Sequence, residues 1–237
     1  MCVLIFVYMT RKKLQRFADL KTFAHVWEPR EQPEKTLTDL LGSRENTPLV
    51  LELACGHGAY TMALAKQFPD KTFIGMDIKG ARIWFGAQKA LDEKISNALF
   101  IRTQIEDIAQ IFPPESIDEI WITFPDPFLR TGKTRKRLTS TRFLPLYHSI
   151  LKKDGILHLK TDSELLYDYT VNESIPENGM FAIEKSIEDI YHVERGNNHA
   201  VSNAVSTFDV LTTIQTPYEH MHLADGRTIY YVGAKKI

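Results

Sequence analysis

Two stretches of this chain combine residue types that could do chemistry. The first is a carboxylate, Asp126, that lies between Pro125 and Pro127 directly after an apolar run. Proline fixes φ and removes a backbone donor, so the two rings stiffen the chain on both sides of the acid. A run of basic residues follows in one short loop: Arg130, Lys133, Arg135, Lys136 and Arg137. A rigid acid beside a basic loop suits an anionic substrate, although a turn followed by a solvated loop is the structural alternative.

The second stretch is a glycine turn, Gly56-His57-Gly58, between an apolar run at 49–53 and a helix-favouring segment at 59–68. A strand, a glycine turn and a helix form a nucleotide-binding crevice at the carboxyl ends of the strands. Dinucleotide sites prefer a small residue where Thr61 stands, so the match to that motif is imperfect. Glu52, just before the turn, would repel a pyrophosphate but attract the ammonium and sulfonium groups of S-adenosyl-L-methionine.

A second acid, Asp77, ends the next apolar run and stands about 20 residues past the turn, where an acid contacts ribose hydroxyls. Two acids with two glycines therefore predict S-adenosyl-L-methionine rather than NAD. A tight structural turn with two exposed acids is the alternative. A Walker-type phosphate loop is excluded because no G-x-x-x-x-G-K-[ST] occurs.

The elements that must position these residues alternate between strand and helix. Apolar runs predict strands at 49–53, 72–76, 98–101, 117–124, 155–159, 181–187 and 227–233. Helices are predicted at 59–68, 79–94, 106–112, 144–151 and 164–171. This alternation predicts an α/β, Rossmann-like, doubly wound fold with a mostly parallel seven-stranded sheet and helices on both faces. The turn signal Asp225-Gly226 predicts an antiparallel C-terminal strand, as a hairpin partner at the end of the sheet.

The bulk composition of the 237 residues, 43% hydrophobic and 25% charged, is typical of a globular protein. We expect one domain at 47–237 and a partly flexible N-terminal arm at 1–46. The net charge is -1, so affinity for nucleic acid must come from local charge. Two cysteines indicate no disulfide framework and favour a cytoplasmic location. The apolar start is too short to span a bilayer, and we hypothesise that residues 1–8 are an upstream extension before Met9.

Other chemistry has little support in the sequence. The eight histidines show neither H-E-x-x-H nor a Cys/His metal spacing, so no metal site is expected. Cys55 lies in the glycine turn and is interpreted as a small packing residue rather than a nucleophile.

Four ordered pieces of the chain resemble the bacterial tRNA (guanine-N7-)-methyltransferases, a class I S-adenosylmethionine-dependent family. They extend from about residue 45 to the end of the chain and are 51–58, 75–77, 124–138, and 160–162 with 216–219. The Pro-Asp-Pro piece with its basic tail is the most specific to that family, since the glycine turn alone indicates only the superfamily. Ala54 replaces the first glycine common in such turns, and Gln104 stands where an acid is more common.

The resemblance implies a role for each matching residue. It implies that the cofactor is bound by Glu52, Gly56, Gly58, Asp77, Gln104 and Asp126, and that Asp126 is the catalytic-site acid. It implies tRNA contacts by Arg130, Asp162, Thr216, Pro217, Tyr218 and Glu219, and the basic loop adds expected phosphate contacts by Lys133, Arg135, Lys136 and Arg137. The family's usual target is guanine-46 of the tRNA variable loop.

N7 of guanine carries an in-plane lone pair, so it needs no deprotonation, and positioning is the enzyme's main task. We predict that Asp126 accepts hydrogen bonds from guanine N1–H and N2–H₂, with Asp162 and Glu219 as alternative acceptors. Two other functions stay open: a methyltransferase for another RNA, a protein or a small molecule, and a non-catalytic RNA-binding protein. NAD-dependent redox chemistry is disfavoured by Glu52 and Thr61. We expect tRNA as the partner, no membrane association, and either a monomer or a homodimer.

Overall fold

The computed structural model describes residues 13–192 and 207–237. The chain divides into two compact units, Met1–Pro113 and Pro114–Ile237. The hypothesised start at Met9 lies outside the described residues. No helix in the described part of the chain combines the length and the apolar composition needed to cross a membrane.

The first unit contains a parallel sheet in the order β1-β4-β3-β2. Its strands are β1 (Val26–Trp27), β2 (Leu49–Leu53), β3 (Thr72–Asp77) and β4 (Ala98–Arg102). Its helices are α1 (residues 13–20), α2 (Leu37–Leu41), α3 (Ala59–Gln67), α4 (Gly80–Asp92) and α5 (Ile108–Ile111). Every residue of β2 and β3 is buried, which explains why these strands occur as continuous apolar runs rather than alternating ones.

The register of this sheet brings the predicted cofactor residues to one edge. Glu52 pairs with Gly75, so β2 and β3 end level with each other. Beyond the ladder, the Cys55 amide donates to the Met76 carbonyl at 3.0 Å, and the Thr103 amide donates to the Asp77 carbonyl at 3.2 Å. The glycine turn, Asp77 and the residues after β4 therefore follow the carboxyl ends of three adjacent strands.

The short strand β1 was not predicted. It pairs with β4, Val26 opposite Phe100, and the Phe100 amide donates to the His25 carbonyl at 2.9 Å. The Lys35 amine donates to the carbonyls of Ala24 and Val26 at 3.0 and 2.9 Å. Two strand residues are too few to show a period of two, so the sequence pattern gave no signal here.

The second unit contains a mixed sheet in the order β5-β6-β8-β7. Its strands are β5 (Ile117–Thr123), β6 (Leu151–Thr161), β7 (Phe181–Ile187) and β8 (Tyr230–Lys236). Its helices are α6 (Leu144–Ile150), α7 (Glu164–Tyr169), α8 (Ile175–Asn178), α9 (Thr207–Thr213) and α10 (Pro217–Ala224). Strands β5 and β6 are parallel, whereas β8 runs antiparallel to both β6 and β7.

The predicted mostly parallel α/β fold is confirmed, with two differences. The described residues form eight strands rather than seven, because β1 adds to β4. The C-terminal strand is antiparallel as predicted, but the expected hairpin at the sheet end is wrong. Strand β8 lies between β6 and β7, and Asp225-Gly226 ends helix α10 rather than joining two strands. Four consecutive residues of β8 are buried, as expected for an inner strand.

Candidate active site

In the first unit the glycine turn joins β2 to α3 through three residues of positive φ: Ala54 at 55°, Gly56 at 57° and Gly58 at 67°. The Gly58 amide donates to the Cys55 carbonyl at 2.8 Å. A Cβ atom on Gly58 would lie 2.6 Å from Cε1 of the Phe100 ring, so both the backbone and the packing require glycine. Ala54 adopts the same left-handed region at a cost of about 1 kcal/mol.

Glu52, which precedes this turn, is buried and not exposed on the surface. Its Oε2 accepts a hydrogen bond from the Thr61 amide at 2.9 Å and another from the Thr61 hydroxyl. Gly75 makes room for this pair, because a Cβ there would lie 2.9 Å from Thr61 Oγ1. The departure from the dinucleotide motif at Thr61 therefore has a structural reason. It provides two donors that hold a carboxylate at the start of α3, where the helix dipole favours negative charge.

Asp77 fastens the tip of the turn to the end of β3. Its Oδ2 accepts from the Gly56 amide at 3.0 Å and its Oδ1 accepts from the Lys79 amide at 2.8 Å. A carboxylate offers about four acceptor sites, so these two bonds leave capacity for the hydroxyl groups of a ligand. The ribose contact itself stays a prediction.

A pocket of about 200 Å³ lies at the ends of β3 and β4. Its lining includes Ile78, which is 52% exposed, and Gln104, whose Oε1 accepts from Arg30 at 3.1 Å. Apolar surface beside an amide suits a nucleobase. The lining also includes Glu28, Arg30, Glu31 and Arg102, with the buried Glu28 carboxylate paired to Arg102. Sequence reasoning missed the wall at 28–31, because no local pattern links it to Gln104 more than 70 residues later.

Cys55 is buried in the turn. Burial raises the pKa of its thiol well above the ordinary value, and the carboxylates of Glu52 and Asp77 raise it further. The thiol therefore stays protonated at neutral pH, which fits a packing role. Among residues 13–192 and 207–237, no group of three His, Cys, Asp or Glu side chains is placed to hold a metal ion.

In the second unit Asp126 lies on a strained segment that follows β5. Phe124 and Phe128, on either side of the Pro-Asp-Pro sequence, have φ values of 47° and 44°. Such angles are unfavourable for residues that carry a Cβ, and they persist where surrounding structure holds them. The Asp126 side chain is exposed, and its carboxylate makes no hydrogen bond or ion pair with any described residue. It is therefore a rigidly presented acceptor.

The basic loop after Asp126 forms short 3₁₀ turns at Thr131–Lys136. Four of its side chains are exposed and have no hydrogen-bond or ion-pair partner in the part of the chain that the structure describes: Arg130, Lys133, Arg135 and Lys136. Arg137 differs, since it is only 6% exposed and donates to the backbone. The structure therefore presents four of the five predicted phosphate ligands to solvent.

Asp162 follows β6 and is paired with Arg227, with His222 nearby. Its Oδ2 lies 2.7 Å from Arg227 Nη1 and 3.5 Å from Nδ1 of His222 on α10. The His222 ring also contacts Phe124, with a centroid separation of 5.7 Å. Asp162 thus lies beside the segment that carries Asp126, but its carboxylate already has partners.

The predicted contact segment at 216–219 separates into an exposed part and a buried part. Pro217 and Tyr218 are exposed, whereas Thr216 and Glu219 are buried and cap α10, each side chain bonding the other's backbone amide. Glu219 Oε1 lies 2.7 Å from Lys160 Nζ and accepts from the Tyr191 hydroxyl at 2.7 Å. In this structure Glu219 therefore stabilises the interior of the protein. Its contact with tRNA stays a prediction, and it would require Glu219 to separate from Lys160 and Tyr191.

Lys160 is the ion-pair partner of Glu219, and the sequence analysis did not assign it a role. Its amine donates to the carbonyls of Leu211 and Ile214 at 2.7 and 3.1 Å, as well as to Glu219. Burial lowers the pKa of this amine, and the Glu219 carboxylate acts in the opposite direction. A signal existed in the sequence, because a lysine directly after the apolar run at 155–159 is unusual for an inner strand.

Comparisons with known proteins agree with this fold. Residues 46–209 match a family model described as "Putative methyltransferase". The tRNA (guanine-N(7)-)-methyltransferase of Christiangramia forsetii is 43% identical over 233 residues, which cover 95% of this chain and 98% of that protein. The enzyme of the same name from Bacteroides fragilis is 40% identical over 231 residues, which cover 94% of this chain and 85% of that protein.

Solved structures show the same fold. A 30S ribosomal A1408 methyltransferase from an uncultured bacterium aligns with a TM-score of 0.55 at 20% identity, covering 86% of this chain and 95% of that one. At that identity the likeness concerns the fold alone. The sequence identity is what decides the family, since in each of the two relatives it extends over 85% or more of both chains. This chain belongs to the tRNA (guanine-N(7)-)-methyltransferase family.

Proposed function

We propose that this protein transfers a methyl group from S-adenosylmethionine to N7 of a guanine in tRNA, with guanine-46 of the variable loop as the target. The loop after β5 carries the proposal. There, a rigid exposed acid is followed by four exposed basic side chains that have no partner among the described residues. Exposed arginine and lysine bind phosphates, while an acid recognises base donors. The names of the two relatives support the same reaction.

The residues of the first unit fit the proposed methyl donor. S-adenosylmethionine, when bound, supplies an electrophilic methyl group on a positively charged sulfonium. Glu52 and Asp77 concentrate negative charge around the turn, which favours cationic groups over a pyrophosphate. The turn is open at Gly56, where a Cβ would meet no atom within 4 Å. The pocket that includes Ile78 and Gln104 offers apolar surface and an amide to the adenine.

The chain's own residues have a positioning task rather than a proton-transfer task. Guanine N7 attacks with a lone pair that is already available, so no general base is required for the transfer. Guanine differs from adenine in carrying two donors, N1–H and N2–H₂, on its Watson–Crick edge. We assign Asp126 as the acceptor of these donors, since a fixed carboxylate would both select guanine and orient its ring.

Three acids are candidates for this acceptor, and the surroundings of each support Asp126. The Asp126 carboxylate has no partner in the described chain. Asp162 is paired with Arg227, and Glu219 is fully buried with both oxygens bonded. A base that binds Asp126 displaces only water. Binding to Glu219 must first break a buried ion pair, and a base at Asp162 would share the carboxylate with Arg227. Asp126 is therefore the first candidate and Asp162 the second.

The four exposed basic side chains of the loop would bind the phosphates of the RNA. Their contacts with phosphates would be independent of sequence and sensitive to salt. The target base would be read as an unstacked nucleotide, because the donors of its Watson–Crick edge are not accessible within a stacked, paired helix. The selectivity for one guanine then comes from the shape of the tRNA together with the acid.

The test is methylation of unmodified tRNA with labelled S-adenosylmethionine, followed by mapping of the modified base. We expect label at N7 of guanine-46 and none in a tRNA with adenosine at that position. Label at another base, or only in protein or small molecules, would replace the proposed substrate. Binding of tRNA without any transfer would instead support a non-catalytic RNA-binding protein.

A further inference from the structure

Arg137 ends the basic loop but differs from its basic neighbours in every contact. It is 6% exposed, while Arg135 and Lys136 are exposed. Its Nε donates to the Pro127 carbonyl at 3.0 Å and its Nη2 donates to the Phe128 carbonyl at 3.3 Å. The guanidinium carbon lies 4.5 Å from the centroid of the Tyr169 ring. All of these contacts are internal to the protein.

We infer that Arg137 is a positioning residue for Asp126 and not a phosphate ligand. The inference deepens the proposed function and rests on it for the catalytic role of Asp126. The two carbonyls that Arg137 binds belong to the residues directly after that acid. Arg137 therefore acts through the backbone that presents the carboxylate.

The segment that carries Asp126 needs such support because its backbone is strained at both ends. On the near side the Phe124 amide donates to the Lys160 carbonyl at 2.8 Å, which continues the pairing of β5 with β6. On the far side Pro127 has no amide to donate, and Phe128 holds a positive φ of 44°. Arg137 supplies the side-chain donors that fix this far side. Without them, the left-handed conformation at Phe128 would lose its main restraint.

The helical segment that carries Tyr169, on which Arg137 stacks, is held by hydrogen bonds. Tyr169 ends α7, and a turn of π-helix follows at Thr170–Ser174. The Thr139 and Thr170 hydroxyls are hydrogen-bonded at 2.7 Å, and the Ser174 hydroxyl donates to the Thr139 carbonyl. The chain just after Arg137 is thus fastened to the same helical segment on which its guanidinium stacks.

The charge around Arg137 argues against a phosphate at this point. It lines a groove of about 470 Å³ whose wall also carries Glu164, Asp168 and Glu173. Three carboxylates would repel an RNA backbone that entered the groove. By contrast, a planar guanidinium is suited to binding two carbonyls while it stacks on an aromatic ring, and a lysine cannot reproduce that geometry.

The test compares Arg137→Lys with Arg135→Gln and Lys153→Gln in the full chain. We expect Arg137→Lys, which keeps the charge, to lower kcat by about tenfold or more, because small displacements of a positioned group are costly. The KM for tRNA and the salt dependence of tRNA affinity should stay unchanged. Arg135→Gln should instead weaken the binding of tRNA and reduce its salt slope. Lys153→Gln, at an exposed lysine outside the basic loop, should match the wild type.

A second readout does not depend on methyl transfer. Chymotrypsin cleavage of the native protein after Phe128 and Leu129 should be about tenfold faster in Arg137→Lys, with cleavage in β5 and β6 unchanged. Tyr169→Leu, which removes the stacking platform, should give the same local effect. If the wild type does not methylate tRNA, the cleavage rate still tests the role of Arg137. Wild-type cleavage and kcat in Arg137→Lys would overturn the inference, and so would a reduced salt slope in Arg137→Gln.

Discussion

Lys160 and Glu219 form an ion pair from which water is excluded, since both side chains are 0% exposed and Nζ lies 2.7 Å from Oε1. The pair joins an inner strand, β6, to the start of α10. Lys160 also donates to two carbonyls at the end of α9, those of Leu211 in its last turn and of Ile214 just beyond it, and Glu219 accepts from the Tyr191 hydroxyl. Elements that are distant in sequence thus meet at one buried charge pair.

Replacing Lys160 by Met should destabilise the protein strongly. The substitution leaves the Glu219 carboxylate buried without its cation, which typically costs about 3–5 kcal/mol. The measurement is the free energy of unfolding from urea denaturation. The double variant Lys160→Met/Glu219→Gln should recover part of the loss, because it removes the buried charge but keeps an acceptor for Tyr191.

The control for this prediction is Lys66→Met, which removes a lysine from the exposed ion pair with Glu93. Little change in stability is expected there, because water screens both charges. Equal effects of Lys160→Met and Lys66→Met would show that burial of the first pair is not what makes it important.

Asp126→Asn should lower methyl transfer by about tenfold or more, because it removes the charge and replaces one of the two acceptor oxygens with an NH₂ donor. The affinity for tRNA should change little, since the basic loop is intact. Single-turnover rates and filter-binding affinities measure the two quantities separately. Asp154→Asn is the matched control, because Asp154 is another exposed acid of the second unit. Turnover near the wild-type level in Asp126→Asn would refute the assignment.

Replacing Lys133, Arg135 and Lys136 together by Ala should flatten the salt dependence of tRNA affinity. Each lost phosphate contact reduces the slope of log K against log salt by about 0.7–0.9, so a decrease of about 2 is expected. The measurement is a series of binding constants across ionic strength. Lys153→Ala, at an exposed lysine near the start of β6, serves as the control. An unchanged slope would mean that the three cations are only a solvated surface.

Asp77→Ala should weaken binding of S-adenosylhomocysteine by about tenfold or more, since it removes a charged acceptor from the end of β3. It also removes the acceptor of the Gly56 amide, so the glycine turn loses one of its supports. Isothermal titration calorimetry without tRNA gives the affinity directly. Asp92→Ala, at the exposed end of α4, should leave that affinity unchanged. If both variants bind alike, Asp77 has no part in the cofactor site.

The features that could be predicted from the sequence are those decided by neighbouring residues. The apolar runs of β2 and β3 are buried along their whole length, and Gly56 and Gly58 adopt the positive φ values that glycine turns require. The Pro-Asp-Pro sequence indicated a rigid acid, and the strained angles at Phe124 and Phe128 agree with it. Local chemistry was sufficient for each of these features.

The features that could not be predicted depend on pairs that are distant in the chain. Lys160 and Glu219 are 59 positions apart, and Arg30 and Gln104 are 74 apart. Charge alone also did not distinguish Arg137 from Arg135, because its burial is decided by the position of Tyr169. Tertiary packing, not local pattern, separates a side chain that holds a loop from one that faces the solvent.

Strand β1 has a consequence for the solution behaviour of the first unit. It pairs with β4, so the outer side of that strand is not left open. An unprotected edge offers a row of unpaired amides and carbonyls on which the edge of another chain can add. Val26 and Trp27, which Lys35 holds in place, therefore cover part of the edge of β4 and hinder self-association there. A chain shortened to begin at residue 47 would keep the glycine turn but expose a template for aggregation.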